Sequence, residues 1–171
     1  LAESLLEADG FDPSDQMERY LRWWRRGYWS STGSCFDIGN TVSAALARYE
    51  SEGTPYAGPT DPRSAGNGSL MRLAPVPLYF AGNPELAVRM SGESSRTTHG
   101  ARAAIDACRY YAALIIGALQ GASKEGLLAP LFEPEGTESL WSRKPLVSEI
   151  AEVASGSFRR REPPEIAGTG Y

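Results

Sequence analysis

His99-Gly100-Ala101-Arg102-Ala103-Ala104-Ile105-Asp106-Ala107-Cys108-Arg109-Tyr110-Tyr111-Ala112-Ala113-Leu114-Ile115-Ile116-Gly117-Ala118-Leu119 is the stretch on which the fold turns. Its apolar residues recur at helical spacing, and Ala103, Ala104, Ala107 and Ala112 leave room for a second helix to pack closely. The spacing predicts a helix from His99 to Leu119. Its most apolar part, Tyr110 to Leu119, is about ten residues, half the length of a bilayer span, and suits a buried helix. The same periodicity spreads towards both termini. Leu1, Leu5 and Leu6 share a face that Gly10 ends, and Met17, Tyr20, Leu21 and Trp24 form a stripe from about Ser14 to Arg26. Arg19, Arg22, Arg25 and Arg26 flank that stripe and read as a solvated helix face. A third helix begins near Asp37 or Asn40 and carries Val42, Ala45 and Leu46 to Tyr49. Asn83-Pro84-Glu85 combines a capping asparagine, proline at the first helical position and an acid in the first turn. Ser123 is placed to cap a short helix, and Pro145 to Ser155 reads as another, with Leu146, Val147, Ile150 and Val153 on its face. The end, Phe158 to Tyr171, is basic and then rich in proline and glycine. No Val/Ile-rich alternation supports a sheet, and there is no internal repeat. The expected fold class is all-α, a single helical domain over residues 1–171.

Composition narrows the function classes. Apolar residues make up 42% and charged residues 22%, as in an ordinary globular domain. A net charge of −4 gives a nucleic-acid partner no electrostatic support, and no apolar run reaches the length of a membrane span. Cys35 and Cys108 stand far apart in no metal-like spacing, so reduced thiols in a cytoplasmic protein are expected. The opening Leu-Ala-Glu-Ser-Leu-Leu-Glu lacks an initiator methionine and is already at helical period. It reads as the second half of a helix, and the chain as a fragment.

Three segments carry candidate chemistry. In Ser64-Ala65-Gly66-Asn67-Gly68-Ser69-Leu70-Met71-Arg72, glycines on both sides of Asn67 allow φ > 0 and close approach of a ligand. The Asn67 amide suits ribose hydroxyls, Ser64 and Ser69 add hydroxyls, and a helix starting near Leu70 aims free N–H groups at the loop. The plainer reading is a cap and turn, since Asn-Gly is a common turn dipeptide. His99, the single histidine, titrates nearest neutrality; it could donate a hydrogen bond to a phosphate or ribose, act as a general base or be simply structural, and a helix N-terminus would favour the neutral ring. In Cys35-Phe36-Asp37-Ile38-Gly39-Asn40-Thr41, Asp37 could cap a helix, bind a metal or meet a leaving group, and Phe36 could stack on a base or simply join the core. There is no Asp-Asp pair and no Asp-x-Asp, so the carboxylate clusters that hold hard cations are missing from this sequence.

Taken in order, these three motifs resemble the central part of the ADP-ribosylglycohydrolase family, from Leu1 to about Gly121, most diagnostically over residues 33–121. The resemblance implies a compact helical domain with a binuclear Mg²⁺ centre, Mn²⁺ in some members. It implies that Ser64, Gly66, Asn67, Gly68 and Ser69 line an ADP-ribose cleft, that His99 reaches the same ligand, and that Gly39 forms another wall with Phe36 and Asp37 nearby. Leu73 to Phe80 would be core behind the cleft. The family's Thr-Asp-Asp-Thr motif would lie upstream of the first helix, and its Asp-x-Asp-Thr motif downstream of a Gly-Tyr such as Gly170-Tyr171. The metal ligands are therefore expected outside this chain, and the fold is expected to lack its first and last helices. The implied function is that of a fragment, inactive alone, of a metal-dependent hydrolase. Such an enzyme cleaves the ribose–side-chain glycosidic bond of ADP-ribosylated proteins or related ADP-ribose conjugates. Its partners would be the modified protein and the missing segments of the same polypeptide, with no nucleic acid and no membrane. The alternative is a non-catalytic ADP-ribose-binding or structural protein on the same scaffold.

Overall fold

The computed structural model describes residues 1–162, and all regular structure among them is helical, without a strand. In chain order the α-helices are α1 (Ala2–Glu7), α2 (Pro13–Arg26), α3 (Asn40–Glu52), α4 (Gly68–Met71), α5 (Pro75–Tyr79), α6 (Pro84–Arg96), α7 (Arg102–Leu119), α8 (Lys124–Leu127), α9 (Leu140–Arg143) and α10 (Ser148–Ala154). The Gly170-Tyr171 pair and most of the proline- and glycine-rich end lie outside the described residues.

The spine is the antiparallel pair α6 and α7, which make the most extensive contact in the molecule. Small residues let them approach. Ala87, Ser91, Gly92 and Ser95 are buried on α6, facing Ala104, Ala107, Cys108 and Ala112 on α7. A Cβ added at Gly92 would sit 3.0 Å from Cγ of Arg109, and one at Gly117 would sit 2.4 Å from the Phe132 ring. Helices α4, α5 and α10 close over α7 around Leu5, Leu73, Val76, Val88, Leu140, Trp141 and Ile150. A smaller core of Met17, Ala45, Leu46, Tyr49 and Ala57 joins α2 to α3. Burying such side chains is worth about 1.5–3 kcal/mol each.

Helix starts follow the capping signals. The Asp12 carboxylate accepts from the N–H groups of Ser14 and Asp15 at 2.8 and 3.1 Å, ahead of Pro13 at the first helical position. Asn83 Oδ1 accepts from Leu86 N–H at 3.1 Å, and Ser123 Oγ from Gly126 N–H at 3.1 Å. Gly27 ends α2 in the left-handed region, φ 63°, with its N–H returned to Trp23.

Several expectations are corrected. Helix α7 begins at Arg102, not His99, because residues 97–101 turn a corner and Gly100 N–H is taken by Pro59 C=O at 3.0 Å. Asp37 caps nothing. It sits at φ 54°, Gly39 is the residue before α3, and no side chain caps that helix. Arg19 is not on a solvated face: it is 8% exposed and pairs with Glu3, Glu7 and Asp15, tying α1 to α2. Helix α10 starts at Ser148, and Val153 points to solvent while Leu146 and Ile150 go inward.

A second charge is deeper still. Asp106 on α7 is fully buried; its carboxylate accepts from Arg109 Nη1 at 2.7 Å and from Val147 N–H at 2.9 Å. It thereby holds the approach to α10 against α7. Asp106→Ala strands both donors, and urea unfolding should show a loss of about 3 kcal/mol, the scale of breaking a buried pair. A loss under about 1 kcal/mol, within the range of a surface ion pair, would contradict that role.

Candidate functional site

The site is built on the corner between α6 and α7. His99 N–H and Thr98 N–H both return to Ser95 C=O, at 2.7 and 3.1 Å. Ser95 Oγ donates to His99 C=O at 3.0 Å, so its one proton is spent. The hydroxyl of Ser69, 2.9 Å away, must therefore donate to Ser95, and the Cys108 thiol donates in turn to Ser69 at 3.5 Å. This directed chain pins α4 and α7 to the corner. The segment leading out of α3 is strapped across the other side, with Gly58 N–H on Arg96 C=O at 3.2 Å. No side chain fits between the strands of that crossing: a Cβ at Gly58 would lie 2.5 Å from His99 N, and one at Gly100 2.5 Å from Gly58 O.

The corner forms the floor of a cleft of about 460 Å³, within the usual range for small-molecule sites. Its walls are Tyr20 and Trp23 from α2, residues 37–42 at the head of α3, Gly66, Asn67 and Gly68 with Met71 and Arg72 around α4, and His99. Of the residues singled out from sequence, Asp37, Gly39, Gly66, Asn67, Gly68 and His99 converge here. Three lie elsewhere. Phe36 is 54% exposed and outside the wall. Ser64 Oγ is engaged by Asp61 C=O at 2.6 Å and Pro59 C=O at 3.2 Å, closing its own loop. Ser69 is buried in the chain of hydroxyls just described.

Gly68 is needed for a reason other than backbone sign. Neither Gly66 nor Gly68 is at positive φ. At Gly68 the imidazole occupies the space, since a Cβ would lie 2.9 Å from His99 Cε1 and 3.1 Å from Nε2, whereas one at Gly66 would make ordinary contact 3.7 Å from Nε2. Asn67 precedes α4 and its amide makes no capping bond, which leaves it available to the cleft.

His99 is 2% exposed, with Nδ1 2.8 Å from Thr98 Oγ1. Burial, and then the nearby Arg72 charge, push its pKa down to about 4. Neutrality therefore comes from desolvation and a neighbouring cation, not from a helix terminus. Arg72 is a site residue that the sequence reading passed over, although it ends the Gly-Asn-Gly-Ser-Leu-Met-Arg string. Its Nη2 donates to Ser94 C=O at 3.2 Å and Thr97 Oγ1 at 3.1 Å, and its guanidinium lies 4.7 Å from the Tyr20 ring centroid. Held from two sides, it supplies a fixed positive charge to the cleft wall. Tyr20 read as part of an apolar stripe, and Trp23 carried no signal.

Among the described residues Asp37 is the one carboxylate lining the cleft, and they contain no group of three or more His, Cys, Asp or Glu placed to hold a metal ion. They do not by themselves fit a divalent cation centre.

The chain belongs to the ADP-ribosylglycohydrolase family, whose model matches residues 1–171. An ADP-ribosylarginine hydrolase Tri1 of Pseudomonas putida (strain GB-1) is 33% identical over the whole chain, and one of Serratia proteamaculans (strain 568) is 30% identical. The match covers 43% and 44% of those proteins, so the chain spans less than half the length of these relatives. A solved structure described as an ADP-ribosylglycohydrolase-related protein complex superposes with a TM-score of 0.75 at 42% identity, over all of this chain and 51% of that one.

The depressed histidine makes stability depend on pH. The unfolded chain takes up a proton near pH 6.5 and the folded chain only near 4, so stability is full above about 6.5 and falls as pH drops towards 4. Urea unfolding should show about 2 kcal/mol lost between pH 8 and pH 5 that is absent in His99→Gln. Equal slopes in the two proteins would show that the folded imidazole titrates normally.

Proposed function

We propose that this chain is the ADP-ribose-holding middle of a hydrolase that removes ADP-ribose from modified arginine side chains. The observation that carries the reading is the convergence, in one cleft, of the Gly66-Asn67-Gly68 loop, a neutral buried histidine and the fixed Arg72 guanidinium. A diphosphate needs a cation and N–H donors at close range, and a ribose needs a group that both donates and accepts. Arg72 would face the diphosphate, Asn67 the ribose hydroxyls, and His99 Nε2 an oxygen of either. The aromatic faces of Tyr20 and Trp23 would border the base. Holding the ribose in register is this chain's share of catalysis.

Arginine as the linkage follows from the names of the two relatives and is part of the proposal. So is the binuclear Mg²⁺ centre (Mn²⁺ in some members), which we assign to the longer polypeptide, with no ligand set among the described residues. The reaction needs that longer polypeptide, and the chain alone is expected to bind without turnover. A cytoplasmic setting suits the two free cysteines, and no helix among the described residues is long and apolar enough to cross a membrane. The single carboxylate in the cleft wall favours, as a second reading, a binder of ADP-ribose without catalysis.

Calorimetric titration of ADP-ribose separates these outcomes from a purely structural role. Arg72→Gln should weaken binding about ten- to a hundredfold, the loss of a charge-assisted hydrogen bond. Gly66→Ala should fold normally, since its methyl makes ordinary contact with Nε2, yet weaken binding by shielding that atom. Unchanged affinity in both variants would overturn the assignment of the cleft. Release of ADP-ribose from an arginine-modified protein by the longer polypeptide tests the reaction, and binding without release would favour the second reading.

A further inference from the structure

Thr98 has no place in the cleft wall, yet it is the hydrogen-bonding partner of the residue that does. It is fully buried, its N–H is fixed to Ser95 C=O, and its hydroxyl meets one polar group among the described residues, His99 Nδ1 at 2.8 Å. Two arrangements satisfy that distance. In one, Nδ1–H donates to Oγ1, and the hydroxyl proton is left buried without an acceptor, which costs about 1–3 kcal/mol. In the other, the hydroxyl donates to Nδ1, both groups are satisfied, and the ring proton must sit on Nε2.

We infer that Thr98 is a positioning residue that locks His99 as the Nε2–H tautomer, so that the histidine meets a ligand as a neutral hydrogen-bond donor and not as a base. Nε2 is the nitrogen on the glycine-loop side, where Cβ atoms at Gly66 and Gly68 would come within 3.7 and 3.1 Å. A ring whose lone pair is engaged by Thr98 has none to offer there. It takes no proton from water and can only donate, which suits a phosphate or ribose oxygen as its ligand atom. The adjacent Arg72 charge works in the same direction, since it opposes a second proton on the ring. The choice of ligand oxygen rests on the ADP-ribose reading above; the tautomer does not.

The chain has one histidine, so long-range ¹H–¹⁵N spectra of the uniformly labelled protein report this ring alone. At pH 7 the wild-type protein should show the Nε2-protonated pattern. Thr98→Val should move the tautomer ratio towards Nδ1–H by about fivefold, the equivalent of one neutral hydrogen bond, and Thr98→Ser should restore it. A wild-type ring protonated on Nδ1 would overturn the inference, whatever the variants do. So would a valine variant, folded by its amide spectrum, with the wild-type ratio. Titrating ADP-ribose into the same samples should show weaker binding in the valine protein and recovery in the serine protein. Because the tautomer is read without ligand, a failure of ADP-ribose to bind at all counts against the cleft assignment alone.

Discussion

Everything at the site depends on one crossing of backbones. Gly58 and Gly100 pass each other where no Cβ fits, and backbone hydrogen bonds to Arg96 and Pro59 hold that crossing against the turn between α6 and α7 that carries His99. The ring then fills the space that a side chain at position 68 would need, so Gly58, Gly68 and Gly100 answer to one local geometry. Close-packed interiors transmit such constraints because a neighbour has no void into which to retreat.

Beside this crossing the hydroxyls and a thiol form one continuous chain, while Arg72 Nε and the Tyr20 hydroxyl are buried without a hydrogen-bond partner among the described residues. The thiol and hydroxyl chain from Cys108 through Ser69 and Ser95 to the His99 carbonyl links three helices with a single donor direction. Arg72 is held by Ser94 and Thr97 on the helix that leads into the corner, so the cleft's cation is set by the same element as its histidine. A half-buried, prearranged charge costs little further ordering when an anion arrives, which is the advantage of fixing it in advance.

How much of this was legible in the sequence depended on range. The start of α6 was readable because a capping asparagine and a proline act within three residues, and α2 was placed within a residue of its start by its apolar stripe. The start of α7 was not, since Gly100 is claimed by Pro59, some forty residues upstream, and no local pattern reports that. The glycine loop was visible as a motif, but its physical reason was misread: the composition suggested positive φ, while the structure shows a ring in the way at Gly68. Arg19 looked like a surface charge because the acids that bury it come from α1 and from one turn earlier on α2. Arg72 and Trp23 were missed for the opposite reason, being unremarkable in sequence and placed in the cleft only by tertiary packing.

Membership of the ADP-ribosylglycohydrolase family and the all-helical fold are shown by the matches across the full chain, and the cleft supplies a chemical rationale for the ligand we propose. The most direct test of the account is a crystal structure of this protein with ADP-ribose bound. The account predicts the ribose and diphosphate over Gly66 to Gly68, with Arg72 near the phosphates and His99 Nε2 within hydrogen-bonding distance of a ligand oxygen. Ligand bound elsewhere, with this cleft filled by protein side chains, would contradict it.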